Sequence, residues 1–200
     1  MRPRVQDLTI EEKIGQMLII ANWPTNERAI DGIKNIKVGG IWPGAGPKDD
    51  SEKFRSIIKE FQKQAKIPLL ITTDFELGAG QFITDGTCVE FPALMAYGAI
   101  GDPEDAERLA YLTGSICAQE AEYLGITITP SPVFDVNTVP VNPICNTRSV
   151  GSDPYLVARV ATAYALGMQT GRLIGMAKHF AGEGMHERDP HFALEEMNVT

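Results

Sequence analysis

The sequence has 200 residues, 26 Asp and Glu against 18 Lys and Arg, and a net charge of −8 with its three His neutral. A hydrophobic fraction of 44% is enough for a packed core, which excludes a disordered chain, and no apolar run reaches the roughly 18 residues that cross a membrane. The acidic balance argues against a protein that grips a phosphate backbone through a basic stripe, so neither nucleic acid nor membrane is an expected partner.

Asp7 or Thr9, followed by Glu11 and Glu12 and an apolar stripe through Ile14, Met17 and Leu18, predicts a helix start. Val38–Trp42 predicts a short buried strand, closed by the Gly- and Pro-rich stretch 43–47. Asp49 and Asp50 open a predicted helix to about Lys66, with Phe54, Ile57, Ile58 and Phe61 on one face, and Pro68 stops it. Leu69–Thr73 is a continuous apolar and hydroxyl run that delivers Asp74. A loop carrying Gly78, Gly80 and Gly86 follows, to about Pro92. Asp102-Pro103 caps a long predicted helix that Gly125 ends. Ile126–Thr129 is β-branched, reads as a strand and runs into Pro130–Asp135. Ser152-Asp153-Pro154 caps a helix from Tyr155 to about Gln169, ended by Gly171. Leu173–Ala177 is the last predicted strand and ends in Lys178-His179.

Apolar strands separated by helices make this an α/β chain with a parallel sheet expected to be covered on both faces. An open doubly wound sheet and a (β/α) barrel both fit. Asp74, Asp135, Lys178 and His179 each follow a predicted strand, at the edge where either architecture binds ligands. No GxGxxG follows a strand and no GxxxxGK[ST] occurs, so no nucleotide cofactor is expected. Cys88, Cys117 and Cys145 are isolated, which argues against a disulfide framework and suits a reducing compartment. The charged N-terminus lacks the apolar core of a signal peptide, so the cytoplasm is the expected location.

Several residues have the chemistry of a site. Asp74 reads as a carboxylate for a polyol or a cation, or as a turn cap. Arg148 is either a surface cation or a planar clamp for hydroxyls or a carboxylate. Lys178 and His179, at a strand end, read as pocket lining, as an Asp-paired Lys beside a core His, or as a Schiff-base Lys. The stretch 182–191 is dense in Gly and charge, which predicts a mobile loop over a site. Within it, Asp189 and His191 flank Pro190. A carboxylate beside an imidazole fixes its tautomer and prepares it for acid/base work, although the same pair also reads as a solvated charged loop. A metal set of His179, Glu183, His186 and His191 has no recognised ligand spacing, and no metal is expected.

Together these segments resemble the N-terminal catalytic domain of glycoside hydrolase family 3. The resemblance runs through Leu8-Thr-Ile-Glu-Glu-Lys-Ile-Gly-Gln-Met-Leu18, Gly39-Gly-Ile-Trp42, Thr73-Asp-Phe-Glu76 and Phe91-Pro-Ala-Leu-Met-Ala96. It continues in Pro132-Val-Phe-Asp135, Asn142-Pro143, Arg148-Ser-Val-Gly-Ser-Asp-Pro154 and Lys178-His-Phe-Ala-Gly182. It implies a (β/α)8 TIM-barrel-like domain over 1–200, of which this chain is the first part, C-terminally truncated. The implied activity is hydrolysis of β-linked sugars with retention. Asp74, Arg148, Lys178 and His179 would hold sugar hydroxyls. In the β-N-acetylhexosaminidase branch a His serves as acid/base with an Asp orienting it, and the matching spacing here gives His191 and Asp189.

The family's usual Gly-His-Gly-Asp-Thr is replaced by Gly182-Glu-Gly-Met-His186, its Pro by Ala181, and its Gly-Gly by Leu77-Gly78. The implied nucleophile is an Asp on a later strand, beyond residue 200, so the chain alone is expected not to complete the double displacement. The alternatives are a β-glucosidase or β-xylosidase of the same family, an inactive sugar-binding remnant, and an unrelated metal-dependent barrel hydrolase. The expected partner is a carbohydrate; the oligomeric state is not assigned.

Overall fold

The computed structural model describes residues 3–22, 25–44, 49–192 and 194. Its elements run α1 (Ile10–Gln16), β1 (Ile19–Ala21), α2 (Asn26–Asp31), β2 (Gly40–Trp42), α3 (Ser51–Gln64), β3 (Leu70–Ile71), α4 (Leu94–Gly98), α5 (Pro103–Leu124), β4 (Ile128–Thr129), α6 (Pro154–Met168) and β5 (Ile174–Gly175). Among the described residues, no helix is long and apolar enough to cross a membrane.

The helices start where the sequence supplies caps. Thr9, rather than Asp7, opens α1: its hydroxyl accepts the Glu12 N–H at 3.2 Å while Glu12 Oε2 accepts the Thr9 N–H at 3.0 Å. Asp50, Asp102 and Asp153 accept N–H groups in the first turns of α3, α5 and α6, and Pro103 and Pro154 open the last two. Gly125 ends α5 in the left-handed region at φ 82°. Gly171 does not end α6, which stops at Met168 with a right-handed Gln169. Its small size serves packing instead, because a Cβ there would press on the Ala118 methyl at 2.9 Å.

Three elements, β1, α2 and α4, were absent from the sequence reading. β1 is three residues long, and the residue before α2, Thr25, makes no side-chain cap. α4 is five residues long and its cap residue, Ala93, makes no side-chain hydrogen bond. None offers the signals that marked the others.

Strands β1, β2 and β3 pair in parallel, with Ile19, Gly40 and Leu70 in one row. β4 and β5 also pair in parallel, Ile128 beside Ile174. A parallel bridge from Thr72 to Ile128, and the Thr127 N–H donated to the Ile71 carbonyl at 2.9 Å, join the two groups. The strands therefore lie in chain order, one to five, with no reversal. A doubly wound sheet reverses its order at a switch point; a (β/α) barrel does not. The arc is that of a barrel.

Its outer face is buried. Ile41 and Ile71 lie with Phe54, Ile58 and Phe61 of α3 and Leu124 of α5 in one core. Helices α5 and α6 approach closely at Gly114 and Gly167, where a Cβ on either would run into the other helix's backbone. The opposite face differs from the two-sided cover expected: Ile19, Trp42, Leu70 and Ile174 are between 38% and 54% exposed. The inner face of a barrel is covered by side chains from strands across the ring. Five strands on one arc leave that face open.

Candidate active site

The site is built where the chain leaves the strands. After β3 the chain leaves the sheet through residues 73–75, which carry no regular structure, and turns at Glu76 and Leu77. Phe75 is fully buried and stacks on Phe82 with ring centroids 5.8 Å apart, and its N–H is donated to Ser131 Oγ at 3.2 Å. Tyr164 of α6 donates its hydroxyl to the Phe75 carbonyl at 2.7 Å. Anchoring Phe75 in the core turns its neighbours Asp74 and Glu76 together to the other side.

Cations from two later segments meet these carboxylates. Lys178 Nζ donates to Asp74 Oδ1 at 2.7 Å and also pairs with Glu76. Arg148 forks onto Glu76, Nε to Oε2 and Nη2 to Oε1, both at 2.8 Å, and Nη1 donates to the Ile144 carbonyl at 2.9 Å. Buried Asn142 shapes the loop that carries Arg148. Its Oδ1 accepts the N–H groups of Ile144 and Cys145 at 2.9 and 2.7 Å, and its Nδ2 donates to the Glu183 carbonyl at 2.7 Å.

His179 continues the network. Its Nδ1 lies 2.6 Å from Asp135 Oδ2, its backbone N–H donates to the same oxygen at 3.1 Å, and its Nε2 lies 3.3 Å from Arg148 Nη2. Asp135 Oδ1 accepts the Glu183 N–H at 2.6 Å. The result is one unbroken chain of polar contacts: Asp74, Lys178, Glu76, Arg148, His179, Asp135.

Electrostatics follow from that chain. Burial alone would raise the Glu76 carboxyl, but hydrogen bonds from Arg148 and Lys178 outweigh it and bring it down to about 2. Burial likewise opposes ionisation of Asp135, and the donors on His179 and Glu183 again prevail and lower it. Glu76 holds the Arg148 proton more firmly than usual. Cys145 is pushed up to about 12 by its burial, with the Asp135 charge adding to the effect, so it is an unreactive thiol. A doubly paired Lys178 ammonium does not suit the Schiff-base reading.

Beside the cluster lies an open cleft of about 510 Å³, bordered by Asp135, Lys178, His179, Gly182 and Met185. The stretch 182–191, expected to be one mobile loop, divides in two. Its first half is pinned down. The Glu183 N–H and carbonyl are held as described, Thr138 N–H donates to the Gly184 carbonyl at 3.1 Å, and His186 is buried. The second half carries Asp189 and His191. Asp189 Oδ1 accepts the His191 backbone N–H at 2.9 Å and lies 2.7 Å from His191 Nδ1. These two contacts, the backbone one first, lower the Asp189 carboxyl. The His191 side chain is 67% exposed.

The metal set His179, Glu183, His186 and His191 does not assemble among the described residues. Candidate ligand atoms lie within 4.8 Å of one another in a different group, Asp135, Cys145 and His179. The 2.6 Å between Asp135 Oδ2 and His179 Nδ1 is a hydrogen-bond length. Two N or O ligands on a tetrahedral zinc sit roughly 3.3 Å apart. This is a proton-sharing contact, not a metal cradle.

A chain with these strand-end groups in this order was compared with known proteins. The description "Glycosyl hydrolase family 3 N terminal domain" matches residues 9–200. The chain belongs to glycoside hydrolase family 3. It is 31% identical over 192 residues to a Beta-N-acetylglucosaminidase/beta-glucosidase of Cellulomonas fimi, covering 96% of this chain and 32% of that protein. Among solved structures it resembles "Beta-glucoside phosphorylase BglX bound to 2FGlc", with TM-score 0.79, 31% identity, 93% of this chain and 32% of that one. It also resembles a family 3 beta-N-acetylglucosaminidase from Paenibacillus sp. str. FPU-7, with TM-score 0.77, 32% identity, 92% of this chain and 35% of that one. The chain thus spans about a third of the length of these relatives. The family fold is TIM-barrel-like, as the strand order here requires.

Of the residues singled out in the sequence, Asp74, Arg148, Lys178 and His179 come together in one cluster, and Asp189 meets His191. Of the carboxylates that hold the cations and the imidazole, Glu76 was not singled out, and Asp135 was placed at the ligand-binding edge but given no role. The signal for Glu76 was present: it lies two residues from Asp74, with an aromatic between them, at a strand exit.

Proposed function

We propose that this family 3 domain holds the sugar of a β-linked N-acetylhexosaminide and supplies its acid/base, in a retaining glycosidase. The observation that carries this reading is the 2.7 Å contact between Asp189 and His191 on an exposed loop of a family 3 fold. Asp74, Arg148, Lys178 and His179 present fixed donors and acceptors to sugar hydroxyls. His191 protonates the leaving oxygen and then takes a proton from water. Asp189 orients the ring and stabilises its charged form. The naming of the Cellulomonas fimi and Paenibacillus relatives after N-acetylglucosamine supports this branch. The resemblance puts the nucleophilic carboxylate beyond residue 200.

The test joins this chain to the part of the Cellulomonas fimi relative that follows the matched region, and supplies chromogenic β-N-acetylglucosaminide and β-glucoside. The expected result is cleavage of the amino sugar, with His191→Ala reducing the rate about 10²- to 10⁴-fold. Cleavage of the glucoside alone overturns the substrate assignment. An unchanged rate in His191→Ala overturns the acid/base assignment.

A second reading, that the acceptor is phosphate in place of water, draws on the relative described as a β-glucoside phosphorylase. An uncharged imidazole does not repel an incoming phosphate, as a carboxylate base would. Phosphate would then attack the anomeric carbon of the glycosyl-enzyme and free the enzyme carboxylate, giving a sugar 1-phosphate. Added inorganic phosphate should speed turnover and yield that product; release of free sugar alone rules this reading out.

A further inference from the structure

We infer that His179 is locked as a single tautomer, with its proton on Nδ1 and a bare Nε2, and that Asp135 is the positioning residue that locks it. Two independent contacts demand the same assignment. On one side, Asp135 Oδ2 lies 2.6 Å from Nδ1 and already accepts the His179 backbone N–H at 3.1 Å. An ionised carboxylate has no hydrogen to donate, so Nδ1 must carry one. On the other side, Arg148 Nη2 lies 3.3 Å from Nε2, and a guanidinium is a donor with no lone pair to offer. Nε2 must therefore be the acceptor.

Both fixing groups are themselves fixed. The Asp135 side chain is fully buried, and its second oxygen is taken by the Glu183 N–H at 2.6 Å. Arg148 is held by the two-point contact with Glu76 and by the Ile144 carbonyl. A doubly protonated ring would turn an N–H onto the guanidinium. A further charged group near the ring, Glu183, has its Oε2 3.6 Å from Nδ1 and also favours a proton there. The two histidines of the site therefore divide their work: His179 is a fixed acceptor, and His191 is the ring placed to gain and lose a proton. If the glycosidase reading holds, a sugar hydroxyl that donates to His179 Nε2 does so in exchange for Arg148 Nη2, because that nitrogen has a single lone pair. That consequence rests on the proposed function; the tautomer itself does not.

The test is long-range proton–nitrogen NMR on the uniformly 15N-labelled chain, without any sugar. Three histidines give three ring patterns, and the one lost in His179→Gln identifies residue 179. The expected pattern has a protonated Nδ1, a bare Nε2, and an Nδ1 proton at low field that exchanges slowly with water. In Asp135→Ala that proton signal should vanish as its acceptor is removed. A wild-type ring with its proton on Nε2, on both nitrogens, or averaged between them overturns the inference. So does an Asp135→Ala protein that keeps the low-field proton. Should Asp135→Ala not fold, the wild-type pattern and the slow exchange of its Nδ1 proton decide alone. Failure of the glycosidase assay leaves this spectrum untouched, so the two readings fail separately.

Discussion

The partly buried polar cluster and the Asp189–His191 pair contain the same kinds of group, and the chain builds them in opposite ways. The pair is two residues apart, and its contacts lie within one loop. The cluster joins residues separated by 104, 72 and 44 positions, and none of its contacts exists unless β3, β4 and β5 are in register. The geometry of the cluster thus belongs to the fold, and that of the pair to the local chain. A site assembled this way ties one set of groups to strand register and leaves the other to a short stretch of loop.

The largest predicted effect tests that contrast in the cluster. Glu76→Ala leaves Arg148 and Lys178 facing each other, partly buried and without their shared carboxylate. It should cost about 2–4 kcal/mol, read from the urea midpoint. The acid limb tests the same residue without mutation. The folded Glu76 carboxyl is lowered from its ordinary 4.5 to about 2. A lowered carboxyl contributes its stability above the unfolded value and loses it as pH falls through the folded one. The wild type should therefore lose up to about 3 kcal/mol between pH 4.5 and 2, and Glu76→Ala should be flatter across that window. Asn142→Ala removes two hydrogen bonds within the Arg148 loop and one to the Glu183 carbonyl. It should cost about 1–3 kcal/mol in the same denaturation assay. His191→Ala should shift stability by no more than about 0.5 kcal/mol in that assay. If it destabilises the chain as much as Glu76→Ala does, the loop is part of the fold and the contrast fails.

The parts of this molecule that were legible in the sequence are those fixed by short-range chemistry. Asp102-Pro103 and Asp153-Pro154 mark helix starts because a cap and a fixed backbone angle act within three residues. Strand-end residues such as Asp74 and Lys178 could be placed because a run of apolar residues stops there. The roles of Glu76 and Asp135 escaped because they depend on partners 72 and 44 residues away, which no local pattern announces. The open inner face escaped for a related reason: an apolar strand reads the same whether a neighbour covers it or not. The split of the stretch 182–191 came from Gly184, which allows the chain to lie against Val136 where any Cβ would collide.

The strand order has a consequence for how this protein comes into being. Because each described strand lies beside the one before it, every new βα unit finds its docking edge already made as the chain emerges from the ribosome, with no wait for a distant segment. The charge network is the exception. Asp74 and Glu76 are synthesised well before their cations, Glu76 72 residues before Arg148 and Asp74 104 residues before Lys178. Lys178 is the last cation to appear and touches both carboxylates, so completion of the cluster reports that β3, β4 and β5 have found their places.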